Sequence, residues 1–85
     1  MPELCRFRGL VITMYHQEHG VAHFHAVFGA REVSIEIESG RVRGVLPRRI
    51  LALALEWARL HRAELLENWR LARLGAPLNR IDPLE

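Results

Sequence analysis

The sequence has no lysine: all twelve of its basic residues are arginine, and five histidines stand beside them. Arginine makes planar, bidentate contacts to carboxylate and phosphate, so the bias suits anion recognition, although a GC-rich genome produces the same bias without any structural cause. Cysteine is almost absent as well. Cys5 stands alone, which excludes an internal disulfide and makes a reducing, cytoplasmic setting the expectation. Long apolar runs are missing, and none approaches the roughly 20 residues that cross a bilayer, so no membrane partner is expected. Arg6 and Arg8 ahead of the apolar residues 10–14 echo a signal peptide faintly. That run is too short, however, and His16, Glu18 and His19 follow it in place of a small-residue cleavage site.

What is present suits one small globular domain over residues 1–85, with apolar and charged residues interleaved. A chain this short hides only about 60 to 65% of its unfolded surface, so the core is thin and a homo-oligomer or a protein partner is expected to complete it. The formal net charge of +2 is weak for a nucleic-acid binder. Any nucleic-acid contact must therefore come from local clustering of the arginines.

Strand periods and hairpin punctuation fill the first half. Residues 10–15 are β-branched and aromatic, 17–20 are polar and end in Gly, 22–28 and 32–38 alternate, and 41–46 close the series. This predicts a four-stranded antiparallel meander, with Gly29-Ala30 as a type II′ turn and Ser39-Gly40 as a second two-residue loop. Counting outward from these turns pairs Ala26 with Val33 and Phe24 with Ile35, then Ile37 with Val42 and Ile35 with Gly44, on the buried face. The opposite face receives His25 beside Ser34, His23 beside Glu36, and Glu36 beside Arg43.

Pro47 opens a helical region, at a position where its missing N–H does no harm. Ile50, Leu53, Ala54, Trp57 and Leu60 keep one helical stripe, and Ala63, Leu65, Leu66, Trp69 and Ala72 keep a second with shifted phase, before Gly75 gives a stop signal. A single rod over residues 48–74 would be about 40 Å long, whereas a domain of this size is only roughly 30 Å across. One bent helix or two short helices, covering one face of the sheet, resolve that conflict; a second half projecting onto another subunit is the alternative. No Gly or Pro marks a break. Residues 76–85 form an extended tail whose Leu78, Ile81 and Leu84 are spaced to dock on the body or on a partner. The expected fold class is thus α+β.

The order of motifs is itself informative. His23-Phe24-His25-Ala26 follows an acidic, His-containing turn; then come the strand and turn of residues 33–40, Leu46-Pro47-Arg48-Arg49, Glu56-Trp57 and Leu65-Leu66-Glu67-Asn68-Trp69. This set resembles a small bacterial family catalogued as domain of unknown function 4160. Members commonly carry two prolines where this chain has Val21-Ala22, so a less rigid approach to that strand is expected here. The resemblance implies a shared fold and, from the small genes that often neighbour such genes, a protein partner in a toxin-antitoxin-like pair. It brings no established activity.

Four constellations carry possible chemistry. His23, His25, Glu36 and Arg43 on one antiparallel face offer the base, acid and cation that phosphodiester cleavage needs, in the manner of small microbial ribonucleases; a plain cross-strand ion-pair ladder is the simpler alternative. His16, His19, His23 and His25 offer neutral nitrogens to zinc, His23 and His25 being two apart on a strand and therefore on one side. Arg41, Arg43, Arg48 and Arg49 form a basic cluster for an anion or nucleic acid, and the last two oppose the dipole of the helix they begin. Trp57 and Trp69, with Leu78 and Ile81 of the tail, are either core or an interface. The leading expectation is an interaction module acting with a protein partner, in contact with nucleic acid. A ribonuclease-like enzyme and a His-based zinc protein are the alternatives.

Overall fold

Apolar side chains at every second residue, punctuated by turn-forming Gly, build the first half of the molecule. The computed structural model describes residues 2–84. Five strands, β1 (Glu3–Phe7), β2 (Leu10–Thr13), β3 (His23–Phe28), β4 (Arg31–Glu36) and β5 (Val42–Arg43), pair in chain order as an antiparallel meander. Two helices follow, α1 (Arg48–Leu60) and α2 (Arg62–Arg73). The class is α+β as the periodicities predict, with five strands in place of four.

The added strand is β1, joined to β2 by a two-residue turn. Both central residues take positive φ, Arg8 at 50° and Gly9 at 84°, as a primed hairpin turn demands. Gly9 is further constrained, because a Cβ there would lie 2.9 Å from the Phe28 ring. A register shift between Glu3 and Cys5 marks a bulge, and Leu4 and Cys5 are both buried in succession. Burial there pushes the Cys5 thiol pKa up, which makes it a poor nucleophile.

The β3–β4 hairpin has the register counted from the sequence: His23 opposite Glu36, Phe24 opposite Ile35, His25 opposite Ser34 and Ala26 opposite Val33. Its Gly29 takes φ of 60°. The β4–β5 register is a correction. Ser34 faces Arg43 and Ile35 faces Val42, two residues away from the expected pairing of Glu36 with Arg43 and of Ile37 with Val42. The connection is a four-residue turn closed by Glu36 N–H to the Arg41 carbonyl (2.9 Å) and Gly40 N–H to the Glu36 carbonyl (3.0 Å). The Ser39 hydroxyl fixes it further, donating to Glu36 Oε1 at 2.7 Å and accepting from Arg41 N–H at 3.1 Å. A shift of two preserves which face each side chain occupies. β5 is short because Gly44, at φ of 110°, turns the chain away where any Cβ would come within 2.9 Å of Val33 Cγ1.

The helical region divides at His61, whose φ of −113° and ψ of 26° leave the helical range. The two helices are about 20 and 18 Å long, and the molecule measures 33 × 25 × 23 Å, so the bend removes the rod that did not fit. It also rephases the stripes. Ala54, Trp57 and Ala58 are buried from α1, and Leu65, Asn68, Trp69 and Ala72 from α2, whereas the expected Leu60 and Ala63 are exposed. Trp57 packs across Phe7 and Phe24 of the sheet with ring centroids at 6.1 and 5.9 Å. The helices therefore cover the sheet face formed by Leu4, Phe7, Ile12, Phe24, Ala26, Val33 and Ile35.

Residues 76–84 run extended along the body. Ile81 N–H donates to the Leu4 carbonyl (2.9 Å), and Trp57 Nε1–H donates to the Asp82 carbonyl (2.8 Å). The buried Asn68 amide both donates to the Asn79 carbonyl (2.9 Å) and accepts from the Asn79 N–H (2.8 Å), taking the place of a strand neighbour. Arg80 reaches the Glu3 carbonyl, and Arg6 clamps the Glu3 carboxylate, holding its pKa below the usual carboxylate value. Trp57, Trp69 and Ile81 are thus buried within the chain and Leu78 packs against its core. Within the single chain these residues therefore pack as core, with the tail occupying that side.

Among the described residues, Thr13 Oγ1 is the buried side-chain polar atom with no hydrogen-bond partner. Replacing an unpaired buried hydroxyl with a methyl removes a desolvation cost. Thr13→Val is expected to raise stability by about 1 kcal/mol, seen as a higher urea midpoint with an unchanged slope; a lower midpoint would show that the hydroxyl is satisfied.

Candidate functional site

The sheet face opposite the apolar core carries the polar residues, because β3 and β4 alternate between core and outer side chains. Beside β3, β4 and the β5 hairpin lies a surface pocket of about 240 Å³, lined by His19, Val21, His23, Ser34, Glu36, Arg41 and Arg43 together with Gly20. Three of the four residues expected for phosphodiester chemistry, His23, Glu36 and Arg43, line it. The fourth, His25, does not.

The ladder reading of this row meets a specific obstacle. Arg43 lies opposite Ser34, and Glu36 accepts the Ser39 hydroxyl. Among the described residues, no side-chain hydrogen bond or ion pair is made by the guanidinium of Arg41 or Arg43. Both side chains are exposed at the pocket. The four-arginine cluster is divided: Arg48 and Arg49 lie in the first turn of α1, outside the pocket, where neither an acidic residue nor a side-chain cap offsets them.

A second group meets the first at His23. Gln17, at the left-handed φ of 58°, gives its N–H to the Ala72 carbonyl at 3.0 Å. In the same turn Glu18 approaches β3: its Oε1 lies 3.2 Å from His23 Nε2 and 3.0 Å from His25 Nε2. His23 Nδ1 lies 2.8 Å from the Val21 carbonyl, and His25 Nδ1 lies 3.1 Å from Glu32 Oε2. The Tyr15 hydroxyl donates to the same Glu32 oxygen at 3.4 Å, and its ring meets that of His25 edge-on with centroids 4.5 Å apart. Partial burial and then the Glu32 charge raise the Tyr15 pKa, keeping the phenol protonated. His23 packs on Trp69, with centroids 5.1 Å apart.

Of the four histidines expected to share a metal, the fold brings together His23 and His25, joined by Glu18. His16 is instead turned to the tail, with Nε2 at 2.9 Å from the Ala76 carbonyl, and His19 lines the pocket without joining the group. Glu18, Glu32 and Tyr15 were not legible as site residues. The acidic turn before the His-Phe-His run was the available signal for Glu18, but its reach depends on the backbone conformation at Gln17.

No helix among the described residues is long and apolar enough to cross a membrane. No curated protein and no solved structure matches the chain. One family model does, over residues 9–70, from the β1–β2 turn into α2, and takes in the pocket, Glu18 and both β3 histidines. With the His-Phe-His strand, the Leu46-Pro47-Arg48-Arg49 helix start and the tryptophan motifs inside that match, the chain belongs to the family described as domain of unknown function (DUF4160).

Proposed function

We propose that this protein is a small interaction module that contacts a phosphate-bearing chain, in the first instance single-stranded RNA, through the outer-face pocket, and that it acts with a protein partner in a toxin-antitoxin-like pair. The observation that carries the phosphate contact is the pair of guanidiniums at the pocket, Arg41 and Arg43, exposed and without side-chain partners among the described residues. Arginine forks match phosphate oxygens in pairs. At about 240 Å³ the pocket is smaller than the roughly 300 to 1,000 Å³ of typical small-molecule sites, which favours one group of a long ligand over a whole metabolite. Support for the protein partner comes from the family resemblance. Val21, on the pocket wall, and Val45, two residues beyond Arg43, are 61% and 69% exposed and are the apolar residues such a partner would cover.

The test is binding of a fluorescent single-stranded RNA by the full chain over a salt series. Affinity is expected to fall steeply as salt rises, with a logarithmic slope of about −0.7 per phosphate contacted. Absent or salt-independent binding overturns the reading.

A second reading, cleavage of the phosphodiester, is favoured by His23, Glu36 and Arg43 sharing the pocket. It departs from the four-residue version in leaving out His25, which lies between Glu18 and Glu32. Turnover of a mixed RNA pool that disappears in His23→Ala and persists in His16→Ala would establish catalysis. Intact RNA after incubation with the wild-type protein would leave binding alone.

A further inference from the structure

The two histidines of β3 and a carboxylate of the preceding turn converge on one spot. The Val21 carbonyl can only accept, so the nitrogen 2.8 Å from it, His23 Nδ1, carries a hydrogen. His25 Nε2 makes a 3.0 Å hydrogen bond with Glu18 Oε1, while its Nδ1 lies 3.1 Å from Glu32 Oε2. Both Nε2 atoms lie close to the same carboxylate oxygen, Glu18 Oε1, at 3.2 and 3.0 Å. Two imidazoles and one carboxylate are a donor set that binds divalent cations of the zinc class.

Their spacing suits a metal ion. The donor atoms of Glu18, His23 and His25 all lie within 4.8 Å of one another, and a tetrahedron with zinc bonds of about 2.0 to 2.1 Å has edges of about 3.3 Å. A single dication would satisfy all three donors at once, two of them on rings whose centroids are 5.2 Å apart. The outer contacts have the form found behind metal-bound histidines: a backbone carbonyl on His23 and a carboxylate on His25, the latter held by Tyr15. The side chains of His23 and His25 are 17% and 13% exposed and that of Glu18 is 31% exposed, so the site is sheltered yet reachable.

We infer that Glu18, His23 and His25 bind one divalent cation of the zinc class, with Val21 and Glu32 orienting the two imidazoles. Two histidines and one carboxylate fill three positions and leave a fourth for water or an exogenous ligand. His23 belongs both to this group and to the arginine pocket, so the metal would stand beside the anion-binding surface. The inference rests on the donor geometry and holds whether or not RNA binds.

Tag-free, chelator-stripped full-length protein titrated with zinc chloride in a calorimeter tests this, with cobalt(II) absorption as a report on coordination. One equivalent is expected to bind. His25→Ala and Glu18→Ala should each weaken zinc at least tenfold while circular dichroism shows the fold retained, and Glu32→Gln should weaken it by about tenfold. His16→Ala and His61→Ala should leave it unchanged. Absence of binding at millimolar zinc, or one-equivalent binding that survives both Glu18→Ala and His25→Ala, overturns the inference; Glu18, in the turn outside the strands, supplies a variant that does not disturb β3.

Discussion

Trp57→Ala is expected to remove a large share of the protein's stability. Its side chain is fully buried between Phe7 and Phe24, and truncating a core tryptophan costs about 3 to 5 kcal/mol from lost transfer energy and the cavity left behind. The indole N–H also holds the Asp82 carbonyl, so the same change releases the tail from α1. A domain of this size has a total stability of only about 4 to 13 kcal/mol at the usual 0.05 to 0.15 kcal/mol per residue. Urea denaturation followed by circular dichroism measures the loss. Trp57→Phe separates the two contributions, since it keeps most of the ring volume and abandons the hydrogen bond. It should cost about 0.5 to 1.5 kcal/mol for the lost hydrogen bond. A Trp57→Ala protein with a wild-type midpoint would mean that the helices do not close over the sheet as described.

Replacing Arg41 and Arg43 together with alanine is expected to weaken RNA binding by roughly a hundredfold at low salt. Each guanidinium to phosphate contact is a charge-assisted hydrogen bond of about 1.5 to 3 kcal/mol, and 1.4 kcal/mol is tenfold. Removing two contacts should also flatten the logarithmic salt slope by about 1.4. Both residues are exposed and form no side-chain ion pair among the described residues, so the double variant should melt where the wild type does. Arg48→Ala with Arg49→Ala is the contrasting pair, since these arginines begin α1 away from the pocket. Their removal should change RNA affinity little and should relieve the opposed helix dipole by about 0.3 to 1 kcal/mol each. Equal losses in the two double variants would point to diffuse attraction by a basic surface.

How far the sequence could be read depended on how local the determining interactions are. The β3–β4 hairpin was legible because a two-residue turn with Gly29 at its first central position sets the register, and strict alternation in β4 sets the face. The β4–β5 register slipped by two because it is set by the Ser39 side chain, which bonds both Glu36 and Arg41 in a way that residue type alone does not announce. Strand β1 is not marked in the sequence, because its bulge buries Leu4 and Cys5 in succession and spoils the alternation of a strand. Residues 3–7 and 76–84 also lie outside the family match, and they bond to one another, through Ile81 to Leu4 and Arg80 to Glu3.

The helix break could be argued from length but not placed, since His61 is neither Gly nor Pro; its ring rests 5.3 Å from that of Trp57 and its Nδ1 meets Glu64. At the site, His23 and His25 were legible as neighbours because residues two apart on a strand share a face. Glu18 was not, because a turn residue reaches a strand only through a particular backbone path, here one with Gln17 in the left-handed region. The same limit applies to Asn68, which looks polar in sequence and is fully buried because the tail backbone supplies both of its partners.

The outer-face pocket is tested most directly by nuclear magnetic resonance of the 15N-labelled chain titrated with a short single-stranded RNA at low salt. The largest shift changes are expected at His19, His23, Ser34, Glu36, Arg41 and Arg43, with α1 and the tail little changed. Changes centred on Arg48 and Arg49, or a spectrum unmoved by RNA, would contradict the assignment of this face as the binding surface.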